Sequence, residues 1–242
     1  MNAIETHGLT KSYGTKTALD GLTLTVPHGE LFALLGVNGA GKTTAIKLLS
    51  GLINPTSGSA SLYGCDVVKQ AQAAKSILGT SPQETAVAPN LTVRENLELM
   101  AGIYGASVPE SKARASEMIN KFNLSEIAGT RAKKLSGGWQ RRLSIAMALI
   151  SEPKVLFLDE PTLGLDVLAR RELWRVVQEL KGSITIILTT HYLEEAQSLS
   201  DRIGILSAGK LAAVGTAQEL IGASGKENFE EAFIALAGGN AS

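Results

Sequence analysis

The stretch Gly36-Val37-Asn38-Gly39-Ala40-Gly41-Lys42-Thr43 constrains the fold of this chain more than any other. It is entered through Leu31 to Leu35, an unbroken apolar run, and left through Thr44 to Ser50, where apolar residues recur at helical spacing. A glycine-rich turn between a strand buried on both faces and the start of a helix is the frame of a phosphate-binding loop. Glycines at 36, 39 and 41 let the backbone turn with its N–H groups inward, and the helix N-terminus adds partial positive charge towards an anion. The loop residues Gly36 to Thr44 are therefore expected to wrap a polyphosphate, with Lys42 reaching its β- and γ-phosphates and Thr43 holding Mg²⁺.

Such a loop needs a parallel sheet around it, and 242 residues suffice for one large domain or a domain with an inserted lobe. Val155 to Leu158 and Ile184 to Leu188 are further continuous apolar runs, as strands covered on both faces require. Leu22-Thr23-Leu24-Thr25-Val26 instead alternates, which predicts a half-buried antiparallel strand before the turn Pro27-His28-Gly29. Residues 84–150 are rich in helix signals. Thr92 and Glu95 have capping-box spacing, with Leu91 placed as its hydrophobic staple. Helices are expected at Pro109 to Phe122, Trp139 to Ser151, Val167 to Leu180 and Leu193 to Leu199. The division that follows is a catalytic core of residues 1–83 and 151–220, a helical lobe of 84–150, and a helical tail of 221–242 whose Phe229, Phe233 and Leu236 share a face.

Lys plus Arg and Asp plus Glu both number 23, so the net charge is zero and a basic nucleic-acid surface is disfavoured. The single cysteine, Cys65, can form neither an internal disulfide nor a cysteine metal cluster, which points to a reducing compartment. No apolar run approaches the roughly 18–20 residues that cross a bilayer, and Met1 to Thr6 lacks the regions of a signal peptide. The expectation is a cytosolic chain whose work on a membrane passes through a partner.

Val155-Leu156-Phe157-Leu158-Asp159-Glu160 ends a buried strand in two carboxylates, at the sheet edge where ligand crevices form. Asp159 is expected on the magnesium shell and Glu160 as the base for an attacking water. Guanine readout is disfavoured, because Asn120-Lys121-Phe122-Asn123 lacks the acid of an Asn-Lys-x-Asp motif.

Leu135-Ser136-Gly137-Gly138-Trp139-Gln140-Arg141-Arg142-Leu143 resembles the signature sequence of ATP-binding cassette (ABC) ATPases. Its physical logic is again an anion site, since Ser136, Gly137 and Gly138 stand where a helix begins. The resemblance covers essentially the whole chain. It implies an α/β fold, a RecA-like P-loop NTPase core with an N-terminal antiparallel β subdomain and an inserted α-helical subdomain. It also implies ATP with Mg²⁺, and Ser136, Gly137 and Gly138 completing the pocket of an opposite subunit. By the same resemblance Tyr13 stacks on adenine, Gln83 joins the metal site to the lobe, Asp166 in Gly164-Leu165-Asp166 contacts the second subunit, and His191 contacts the γ-phosphate. His7 and His28 have no such context and read as structural. Trp139 departs from the family's common Gln.

Thr189-Thr190-His191-Tyr192-Leu193-Glu194-Glu195-Ala196 and the tail Asn228 to Leu236 look like the ATPase subunits of multidrug, antibiotic and polysaccharide exporters. The partners implied are a second ATPase subunit, as a homodimer, and an integral membrane permease that holds the chain on the inner face of the cell membrane. Direct nucleic-acid binding is not expected. The rival readings are a soluble ABC factor acting on DNA or the ribosome, which the lack of sustained heptads disfavours, and a regulator without turnover, against which Glu160 and His191 argue.

Overall fold

The computed structural model describes residues 1–238. The chain runs β1 (Asn2–Tyr13), β2 (Lys16–Pro27), β3 (Leu31–Leu35), α1 (Lys42–Leu49), β4 (Ser57–Leu62), β5 (Cys65–Asp66), α2 (Ala71–Ser76) and β6 (Leu78–Ser81). Then come α3 (Val93–Ile103), α4 (Val108–Lys121), α5 (Gly137–Leu149), β7 (Val155–Asp159), α6 (Val167–Leu180) and β8 (Thr185–Thr190). It closes with α7 (Leu193–Leu199), β9 (Arg202–Ser207), β10 (Lys210–Gly215), α8 (Ala217–Ser224) and α9 (Phe229–Gly238).

Two sheets result. An antiparallel sheet has the order β2-β1-β4-β5, and a larger one has the order β10-β9-β3-β8-β7-β6, parallel except for β10. Every residue of β3, β7 and β8 is buried, which is why the sequence shows continuous apolar runs there. The register pairs Leu35 with Thr190 and Asp159 with Thr189. Gly36, Glu160 and His191, each the next residue on its own chain, therefore leave neighbouring strand ends at one edge of the sheet.

One hydrophobic cluster joins the helical lobe to the sheet, with Phe122, Leu143 and Leu97 against Leu31, Leu156 and Leu158. A second fills the space between the antiparallel sheet and α1, and a third lies under Phe229, Phe233 and Leu236. The shared face of the tail is thus a core face, and Ser207 Oγ donates to Ala237 O at 2.7 Å to pin it. Residues 239–242 of the expected tail lie outside the described residues.

Helix starts differ from the pattern reading, because loop geometry and not apolar spacing sets them. α1 begins at Lys42 and α5 at Gly137, each earlier than expected. The Thr92–Glu95 capping box forms reciprocally. Its staple does not: the fourth helical residue is Asn96, and its buried amide donates to the carbonyls of Leu91, Thr92 and Ala88 instead. Among the described residues no helix is long and apolar enough to cross a membrane.

Candidate nucleotide site

The glycine-rich loop packs tightly against its own chain. A Cβ at Gly36 would lie 2.4 Å from Leu206 O, and one at Gly41 would lie 2.5 Å from Ala18 O while φ there is +108°. Glycine is required at both positions by close approach, and at Gly41 by the left-handed backbone as well. Lys42 is 5% exposed, and its ammonium donates to Gly36 O at 2.7 Å and Val37 O at 3.2 Å. Its remaining contact is Glu160 Oε1 at 3.2 Å.

Buried Asp159 takes the Thr189 hydroxyl on Oδ1 at 2.5 Å, with the Thr43 hydroxyl 3.5 Å from the same oxygen. Glu160 has φ +48°, a left-handed conformation that costs a branched-off side chain energy and that clusters at functional sites. Its N–H is held by Thr189, through both the carbonyl and the hydroxyl at 3.1 Å. This turn aims the carboxylate back across the strand ends, where Oε2 meets His191 Nδ1 at 2.5 Å. Lys42, Glu160 and His191, far apart in sequence, thus form one contact chain.

A hollow of about 390 Å³ lies against this chain, lined by Lys16, Ala18, residues 38–44, Gln83 and Glu160. Backbone N–H groups, Lys42 and the start of α1 make it an anion site. Gly36 and Val37 are not among its lining residues; their carbonyls accept from Lys42. Tyr13 sits at the tip of the β1–β2 hairpin, 51% exposed, with Lys11 Nζ 5.2 Å from its ring centre. Lys16, which sequence reasoning missed, is its cross-strand partner and brings a second cation to the hollow. The signal that could have found it is the turn Gly14-Thr15, which sets Lys16 beside Tyr13.

The signature residues lie elsewhere. Ser136 and Gly137 are exposed, and the Ser136 hydroxyl makes no capping bond. Gly137 lines a separate hollow of about 370 Å³ with Gln83, Glu84, Thr85, Gln140, Arg141 and the loop Leu163 to Leu165. A Cβ at Gly137 would meet nothing within 4 Å, so nothing in this chain demands glycine there. Asp166 caps α6 by accepting from Ala169 N–H at 2.9 Å. Trp139 has the Arg142 guanidinium 4.5 Å from its ring centre, and Arg142 in turn pairs with Glu172.

The sequence profile of the ABC transporter family matches residues 19–163. The chain belongs to this family. A curated relative, the daunorubicin resistance ATP-binding protein DrrA3 of Streptomyces coeruleorubidus, is 44% identical over 229 residues, covering 94% of this chain and 72% of that protein. The solved structure of the ATP-binding subunit of an ABC transporter superimposes with a TM-score of 0.87 at 31% identity, over 97% of this chain and 99% of that one. A dimeric post-hydrolysis structure of the ATP-binding cassette MJ0796, bound to ADP and Pi, gives a TM-score of 0.81 at 25% identity, over 88% of this chain and 98% of that one. The chain is an ABC ATPase with the expected α/β architecture, and its chemistry is ATP binding and hydrolysis.

Proposed function

We propose that this ABC ATPase drives an exporter, working as one of two identical subunits closed head to tail around two ATP, on the cytoplasmic face of a membrane permease. The observation that carries the hydrolytic part is Glu160, whose two oxygens are divided between Lys42 and His191 at the wall of the phosphate-sized hollow. The resistance function in the name of DrrA3 supports an export role, and the zero net charge favours a protein partner over nucleic acid.

In this reading Gly36 to Thr44 wrap the phosphates, and Lys42 exchanges its Glu160 contact for the β- and γ-phosphates. Glu160 Oε1 is then released to accept a proton from the attacking water. His191 keeps the carboxylate oriented through Oε2 and faces the γ-phosphate. Tyr13 stacks on adenine at the hairpin tip. Thr43 and Gln83 line the hollow and Asp159 meets the Thr43 hydroxyl, a set of hard oxygen donors that would hold Mg²⁺, which would neutralise charge on the β- and γ-phosphates. Ser136, Gly137 and Gly138 serve the nucleotide of the other subunit, and Asp166 lies on the same closing surface.

Mixing two inactive variants tests the composite site. Lys42→Ala removes the loop's own phosphate ligand, and Ser136→Arg places a bulky cation where a partner's γ-phosphate must dock. Neither homodimer should turn over. In mixed pairs one site carries both lesions and the other none, so a one-to-one mixture should recover up to about a quarter of wild-type ATPase. Full activity of Ser136→Arg alone overturns the composite site.

A further inference from the structure

Outside the phosphate hollow the most unusual charge is Arg141 on α5. It is 4% exposed, and none of the ion pairs among the described residues includes it. Burial pushes its guanidinium below the ordinary arginine value, opposed by the charge of Asp159. What it touches is backbone: the fork donates to two successive carbonyls, Pro82 O at 2.5 Å and Gln83 O.

Two neighbours extend this contact into a strap. Ser144, three residues further along α5, has its hydroxyl 2.9 Å from that of Ser81, and both residues are buried. Gln140, one residue before Arg141, accepts from the Thr85 hydroxyl at 3.3 Å, and its amide donates to Ala132 O and Leu135 O. Residues 81 to 85 therefore run antiparallel to residues 144 to 140, tied at Ser81–Ser144, at Pro82 and Gln83 through Arg141, and at Thr85–Gln140. The segment carrying Gln83 is fastened to the first two turns of the helix that begins at Gly137. A planar two-pronged donor fixes both distance and angle, which a lysine ammonium on a flexible stem does not.

We propose that Arg141 is a positioning residue that makes Gln83 and the Ser136–Gly138 turn move as one body. Nucleotide held by one subunit through Gln83 then sets the pose of the signature offered to the partner's nucleotide. The inference rests on the composite-site reading above. Its consequence is a coupling of the two ATP sites that runs through this strap and not only through the closing surface.

The experiment uses Glu160→Gln as the background in which a closed pair accumulates, and measures two quantities with ATP and Mg²⁺. These are the nucleotide affinity of the monomer, from a fluorescent ATP analogue, and the dimer fraction against ATP concentration, from light scattering. Adding Arg141→Ala should leave monomer affinity within about twofold, raise the ATP needed for half dimerisation about tenfold or more, and lower the Hill coefficient from about two towards one. Arg141→Lys should fall between. A disulfide from Ser81→Cys with Ser144→Cys, in a Cys65→Ser background, should restore the steep dimerisation of Arg141→Ala when oxidised and lose it when reduced.

Equal dimerisation with and without Arg141 overturns the coupling role alone. Parallel loss of monomer affinity, or a formed disulfide that restores nothing, reduces Arg141 to a packing role and also overturns it. If Glu160→Gln itself forms no ATP-dependent dimer, the composite site fails and takes this inference with it.

Discussion

Two glycine-rich turns in this chain each lead into the start of a helix, and they differ in what surrounds them. At residues 36–43 the glycines are crowded by Leu206 O and Ala18 O, and every donor of Lys42 is engaged within the chain. At residues 136–138 the serine hydroxyl is uncapped and Gly137 has open space before it. Gly137 is also absent from the left-handed glycines, so neither backbone nor packing explains it. One turn is finished by its own chain, and the other is left open, which is what the proposed completion of a second subunit's site requires.

The largest expected effect comes from Glu160→Gln, which should cut turnover by about 10²–10⁴ while ATP still binds, because the amide keeps the shape and loses the proton-accepting role. Single-turnover kinetics with a binding isotherm would check it, and near-normal turnover would remove Glu160 from the chemistry. Gly41→Ala should come next. A Cβ forced against Ala18 O at a left-handed φ costs about 1–3 kcal/mol and should weaken ATP binding about tenfold or more, read by thermal melting and titration. Gly137→Ala should behave in the opposite way. Its stability should hold or rise by about 0.5–1 kcal/mol, as alanine suits a helix better, and monomer ATP affinity should hold, while ATP-dependent dimerisation weakens. If both glycine variants lose stability alike, the contrast between the two turns is gone.

The smallest effect tests the surroundings of His191. Glu195 is fully buried, with the Trp174 indole donating to Oε1 at 3.1 Å and Oε2 without a hydrogen-bond partner. Burial raises its carboxyl above the ordinary glutamate value, against the pull of the Thr190 hydroxyl, Trp174, the Thr162 hydroxyl and the Arg170 charge. A carboxyl that is easier to protonate when folded contributes stability in acid and loses it as pH rises through the raised folded value. Glu195→Gln should therefore stabilise by about 1 kcal/mol at pH 8, well above the ordinary glutamate value at which the unfolded carboxyl ionises, with the gain vanishing towards pH 4. Urea melts at the two pH values decide it, and a gain that grows in acid would refute the sign.

The site was legible where chemistry requires a residue type at a fixed place beside a buried strand. Leu31 to Leu35 and Val155 to Leu158 announce themselves because both faces are covered, and Gly36 and Glu160 follow from where such strands end, whereas His191, Gln83 and Tyr13 are singled out only through the resemblance to the family. Ser57–Leu62 and Lys210–Gly215 carry no such signal, since small and polar residues fill them and their pairing depends on distant partners. Lys16 reaches the hollow only because a hairpin folds over the loop, and Arg141 binds carbonyls, which leave no trace in composition. The Asn96 amide replaced an apolar staple for the same reason: its partners are backbone atoms.

The order of strands in the larger sheet also dictates how the chain is made. β3 pairs with β8 and β9, whose residues begin at Thr185 and Arg202. Emerging from a ribosome at about 5–20 residues per second, β3 waits on the order of ten seconds for its first neighbour in that sheet. The β1–β2 hairpin and the α3–α4 pair, built from nearby sequence, can form within that interval. The phosphate loop is consequently among the last parts to acquire its shape, and a nascent chain stalled before residue 185 presents an apolar strand with open edges, which makes it a substrate for chaperones and a seed for aggregation.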